Sequence, residues 1–144
     1  MKNQITLIVA FIIMLTASAV HAQIQTIKVN VPFDFETRGK TLPAGEYILK
    51  SASSQNTSWT IAGKSVKNPI SSLLATTVEN ADRMSQTKLT FRQYGNRYYL
   101  VEFTMPDYKI NLPKSKEEKM LQRELMVNKK LDKAEIVTIA AVLN

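Results

Sequence analysis

No cysteine occurs anywhere in the 144 residues. A disulfide, a thiolate metal ligand and a thiol nucleophile are therefore all excluded. The single histidine, His21, falls in an N-terminal stretch that reads as an export signal. The expected mature chain has no imidazole either. That removes Ser-His-Asp and Cys-His nucleophile systems and nearly all zinc, copper and haem sites. No cofactor is expected, and any chemistry would rest on carboxylates, lysines, tyrosines or hydroxyls. Glycine is scarce: Gly39, Gly45, Gly63 and Gly95 are all there are, each at an expected turn, so no glycine-rich phosphate loop exists. Internal repeats and low-complexity segments are absent as well.

What is present begins with residues 1–22. Lys2 supplies a positive start. Ile5 to Leu15 is apolar but for Thr6. Val20-His21-Ala22 puts small side chains at the −3 and −1 positions of a cut before Gln23. The apolar run falls short of the roughly 20 residues that span a bilayer, which favours a cleaved signal over an uncleaved anchor. With no thiol to acylate, a lipoprotein is excluded. No later segment is apolar enough to cross a membrane. The expected product is therefore one soluble β-rich domain over 23–144, periplasmic or secreted. Loss of Lys2 takes the formal charge from +7 to +6. Export makes nucleic acid an unexpected partner despite the basic balance.

Along the mature chain the dominant pattern is period two. Ile27, Val29, Val31, Phe33 and Phe35 alternate with polar residues, as in a half-buried strand, and Pro32 marks an edge or a bend. Polar turns follow at Thr37-Arg38-Gly39-Lys40 and Leu42-Pro43-Ala44-Gly45. Strands are expected over Glu46–Ser51, Trp59–Ala62 and Ser72–Val78, with a loop from Lys64 to Pro69 and a polar turn or loop from Glu79 to Gln86. Thr87 to Met105 reads as a hairpin. Leu89 and Phe91 lie on its first arm, and Tyr99, Val101, Phe103 and Met105 share one face of its second. A three-residue loop, Tyr94-Gly95-Asn96, keeps these apolar residues together, with Asn96 left-handed; a two-residue loop would set Leu89 against Glu102. Asp107–Leu112 reads as a short strand. Ser115 and Glu118 form a capping box that opens a helix to about Asn128. Glu135–Leu143 reads as a closing strand, with a short helix as its alternative. About seven or eight strands and one helix predict an antiparallel β-sandwich or a small, partly open barrel.

Three constellations stand out. Asp34 and Glu36 share a strand face and can serve acid–base chemistry or bind Ca²⁺, or simply be solvated charges that protect a sheet edge. Arg92, Tyr94, Arg97, Tyr98, Tyr99 and Tyr108 interleave aromatic and basic side chains around the hairpin, a pattern that stacks on sugars or bases or merely pairs across strands. Arg92, Tyr94, Arg97, Tyr98 and Tyr108 are the candidate binding residues. Lys114, Lys116, Lys119, Arg123, Lys129, Lys130 and Lys133 make the C-terminal region basic. Anionic headgroups or an acidic polysaccharide would suit it, and so would plain solvation beside Glu117, Glu118 and Glu124. Trp59 reads as a core aromatic.

Four blocks carry a resemblance: Val29-Asn30-Val31-Pro32-Phe33-Asp34-Phe35, Thr41-Leu42-Pro43-Ala44-Gly45-Glu46-Tyr47, Tyr94-Gly95-Asn96-Arg97-Tyr98-Tyr99-Leu100 and Leu112-Pro113-Lys114-Ser115-Lys116-Glu117-Glu118. Together they resemble a group of small exported bacterial proteins, abundant in acidobacteria-type soil organisms, with no assigned activity. The resemblance implies a shared exported β-domain and brings no catalytic residues. The expected function is therefore non-enzymatic: an envelope or secreted protein that binds an envelope protein or polymer, with an anionic surface as one possible partner. A lipocalin-like barrel holding a small apolar ligand comes second, and a carboxylate-based hydrolase third.

Overall fold

The computed structural model describes residues 24–53, 55–63, 70–82, 85–128 and 134–144, with the side chains of 70–72 left aside. The expected export signal, the expected loop from Lys64 to Pro69, and Lys129, Lys130 and Lys133 lie outside the described residues. Among the described residues the chain forms twelve strands and one helix, more strands than the seven or eight expected. They build a β-sandwich, not a closed barrel.

The first alternating run makes β1 (Thr26–Val31), and the chain then bends at Pro32. Phe35 opens β2 (Phe35–Thr37) in the other sheet, so one period-two run feeds both layers. Arg38 and Gly39, both with positive φ (51° and 72°), form the turn into β3 (Lys40–Leu42). This is the geometry of a type I′ hairpin, which matches the right-handed twist of strands. Next come β4 (Gly45–Ser51) and β5 (Ser58–Gly63). The expected strand Ser72–Val78 is in fact two: β6 (Ile70–Leu74) in one sheet and β7 (Thr77–Asn80) in the other. Ala75 and Thr76 make the crossing, and their amides donate to Thr57 and Asn111 carbonyls. Polar Thr76 and Thr77 gave the sequence no sharper punctuation than a strand would.

The hairpin of β8 (Lys88–Tyr94) and β9 (Arg97–Thr104) corrects the expected loop. Tyr94 pairs with Arg97 across a two-residue Gly95-Asn96 turn. Gly95 has φ 63°, and Asn96 is not left-handed, as in a type II′ turn. The clash of Leu89 with Glu102 is avoided by a β-bulge: Phe91 pairs with Leu100 but Thr90 with Glu102, leaving Val101 as the extra residue. A bulge shifts the alternation by one. Leu100 and Phe103 therefore both reach the core, while Tyr99 lies on the opposite face, not with Phe103 and Met105 as the pattern predicted. The chain continues through β10 (Tyr108–Asn111) to helix α1 (Lys116–Val127), whose Ser115 cap accepts from the Glu118 amide at 3.1 Å. The closing run splits into β11 (Glu135–Ala140) and β12 (Val142–Leu143), one strand for each sheet; it is not a helix.

Sheet A runs β12-β1-β4-β5-β6, and sheet B runs β11-β8-β9-β10-β7. β2 joins sheet B by a parallel contact of Glu36 with Tyr99. Ile27, Leu49, Trp59, Ile61 and Leu73 of sheet A face Phe91, Phe103, Leu89 and Ile110 of sheet B, all 0–1% exposed. Trp59 meets Phe103 edge-on at 4.9 Å, and Phe35 meets Tyr47 and Phe91 at 5.1 and 5.4 Å. Each such burial contributes roughly 1.5–3 kcal/mol. Burial of this kind, without any cross-link, holds the layers together.

Candidate functional site

Strand β8 presents alternate residues outward from sheet B, and α1 covers one end of that face. Glu118 is the only residue of α1 that is buried. Its Oε1 lies 3.3 Å from Arg92 Nε and accepts from the Tyr94 hydroxyl at 3.3 Å. Burial raises the Glu118 carboxyl above its ordinary value, against the opposing pull of Arg92 and Lys114. Tyr94 is raised too, by burial first and then by the Glu118 charge. Beside them Tyr99 meets Tyr94 edge-on at 5.7 Å. Its buried phenol is pushed up to about 12, by burial first and then by the Glu36 charge. Arg97 donates from Nε and Nη2 to Glu36 Oε1 at 2.8 and 2.6 Å, and its Cζ sits 5.4 Å from the Tyr99 ring centre.

The candidate binding residues therefore do not form one exposed surface. Arg92 and Tyr94 converge on Glu118, and Arg97 is spent on Glu36. Tyr98 points the other way and stacks on Phe33 at 3.9 Å, half-buried against the core. Tyr108 lies beyond the far end of the hairpin, also packed on the core. The tyrosine-rich tip is mostly internal glue. Sequence pattern missed Glu118 as its pivot, because its capping-box role explained its presence fully. Alternation across an unseen bulge also mis-set the face of Tyr99.

The acidic residues are dispersed. Asp34 accepts from the Ala44 amide at 2.8 Å and so fastens the β3–β4 turn to the bend between β1 and β2. Glu36 serves Arg97, Glu46 lies on sheet A, and Glu102 pairs with Lys109 at 3.1 Å on sheet B. Among the described residues no three acidic side chains gather as a metal site would require.

A hollow lies on the outer face of each sheet. That on sheet A measures about 680 Å³. Register sets Val142, Lys28, Ile48 and Ala62 in one row across β12, β1, β4 and β5. Asn30 and Glu46 form the next row, and Ala140 and Ala141 close one side. The hollow on sheet B measures about 460 Å³ and is lined by Lys88, Thr90, Arg92, Glu102, Asn111 and Thr138, with Val101, Leu112 and Ile136. The space between the sheets, where a lipocalin-like ligand would sit, is filled by the aromatic core. Among the described residues no helix is long and apolar enough to cross a membrane. No family model, curated protein or solved structure matches the chain.

Proposed function

We propose that the chain is an exported, non-enzymatic binding protein that holds a small anionic amphiphile in the open hollow of sheet A. The observation that carries this is the hollow itself. About 680 Å³ falls within the range of small-molecule sites. Its floor mixes apolar Ile48, Ala62 and Val142 with Asn30, Glu46 and the Lys28 ammonium, and Lys28 has no ion-pair partner among the described residues. Val142 is 61% exposed despite its apolar side chain. An apolar tail covering Ile48 and Val142 would be rewarded by their burial, and an anionic head by Lys28. Binding, not catalysis, suits a chain whose mature form would lack histidine and cysteine and in which Asp34, Glu36, Glu102 and Glu118 serve separate structural contacts. The signal-like residues 1–22 and the four-block resemblance support export.

The test is titration of the exported chain with anilinonaphthalene sulfonate, which joins apolar rings to one negative charge. Saturable binding is expected. Ile48→Glu should remove it, and Lys28→Gln should weaken it about fivefold, the scale of one exposed charge contact. Absence of saturable binding, or indifference to both substitutions, refutes the amphiphile site. Mass spectrometry of the same product checks export, with Gln23 expected as its first residue.

A further inference from the structure

On the outer face of sheet B, register lines up Thr138 of β11, Thr90 of β8, Glu102 of β9 and Asn111 of β10. Strands lie ~4.8 Å apart, so this row of polar side chains spans roughly 14 Å. Lys88 and Arg92 flank it on β8 at roughly 13 Å from each other, since both share the outward face with Thr90. All six line the hollow of about 460 Å³, together with Val101, Leu112 and the 62%-exposed Ile136.

The charges in this hollow are unequal. Glu102 is answered by Lys109 at 3.1 Å and accepts from Thr104 Oγ1 at 3.3 Å. Arg92 is already held by Glu118. Asn111 Nδ2 donates to Glu79 at 3.0 Å, at the edge of the row. Lys88 has no ion-pair partner among the described residues, so the unanswered charge in the hollow is positive. We infer that this face is a second binding site, and that it takes a carboxylate-bearing polysaccharide lying along β8. Hydroxyl and amide groups in the middle match ring hydroxyls. Lys88 toward one end matches a carboxylate, while Arg92 at the other end stays committed to Glu118. The aliphatic Val101 and the exposed Ile136 give the apolar faces of the rings something to lie on. The site is separate from the amphiphile hollow, which lies on the opposite sheet, so either can fail without the other.

The experiment is affinity electrophoresis of the exported chain in gels containing polygalacturonate, or the same polymer fully methyl-esterified. Retardation by the acid form and none by the ester is expected. Lys88→Glu should weaken retention about tenfold and Lys88→Gln about threefold, as for one or two exposed charge contacts. Lys50→Glu is the control: it makes the same charge change on the outer side of sheet A and should alter retention less than twofold. Trp59 emission confirms that each variant is folded. No retention of the wild-type chain overturns the proposal, and so does equal retention by the ester. An equal loss from Lys50→Glu also overturns it, because it would show that net charge alone is being read, as for any acidic protein or membrane surface.

Discussion

Glu118 brings a carboxylate to a place where burial disfavours its charge. It is 2% exposed, and its neighbours are Arg92 and Tyr94 on β8, Lys114 just before α1, and Glu36 on β2. Its folded-state pKa is raised from 4.5, with burial the largest cause. A raised folded value means that the native state holds this proton more tightly than the unfolded chain does. The contribution of Glu118 to stability is therefore fullest below its unfolded pKa and declines as pH rises through the raised folded value. Glu118→Gln removes that titration while keeping an acceptor for the Tyr94 hydroxyl. Above the raised folded value, relief of the buried charge is offset by loss of the Arg92 ion pair, so the variant is expected within about 1 kcal/mol of the wild type, and its stability relative to the wild type should fall as pH drops toward 4.5. Glu118→Ala leaves Tyr94 without its acceptor and should cost about 1–3 kcal/mol. Urea midpoints of the three proteins across this pH range measure both effects. A Gln variant that gains on the wild type on acidification would contradict the assigned direction.

Turns and crossings decide how the elements meet, and they were legible to different degrees. Arg38-Gly39 and Gly95-Asn96 are visible as turns, and the Ser115 cap as a helix start, because each rests on residues with a local reason to be there. Their consequences travelled less well. Gly95-Asn96 is a two-residue turn only because Val101 bulges six residues later, and nothing in the composition of Leu100-Val101-Glu102 distinguishes a bulge from plain alternation. The same limit hid the crossings at Ala75-Thr76 and Ala141, where a single β-branched run serves both sheets. It also scattered the candidate site: once Tyr99 changes face, Tyr94 and Tyr99 go under α1 while Tyr98 goes to Phe33. Gly95 is the element-scale test. With φ 63° and open space where a Cβ would be, Gly95→Ala should cost only the positive-φ backbone penalty of about 1–3 kcal/mol. Thermal unfolding of the variant measures it, and no loss at all would count against the tight turn.

At the scale of the whole molecule, the two sheets are stitched together by the chain itself. It leaves sheet A after Val31, returns after Leu42, leaves again at Ala75 and crosses back at Ala141. The last of these is pinned by Ala141 donating to the Thr87 carbonyl and by Asn144 and Thr26 exchanging backbone hydrogen bonds. Without a disulfide, sheet-on-sheet packing and these crossings are what couple the layers. Separating the sheets would pull on all of these crossings in the same event that exposes the aromatic core. The single tryptophan reports on that event. Trp59 is fully buried, its Nε1 donates to the Asn56 carbonyl at 2.9 Å, and its ring meets Phe103 of the opposite sheet. Its emission therefore reads inter-sheet packing, whereas far-ultraviolet circular dichroism reads strand content. The two signals should trace one coincident urea transition. Emission that shifts red at lower urea than the loss of strand signal would mean that the layers part before the strands melt, and that the four crossings do not bind them into one cooperative unit.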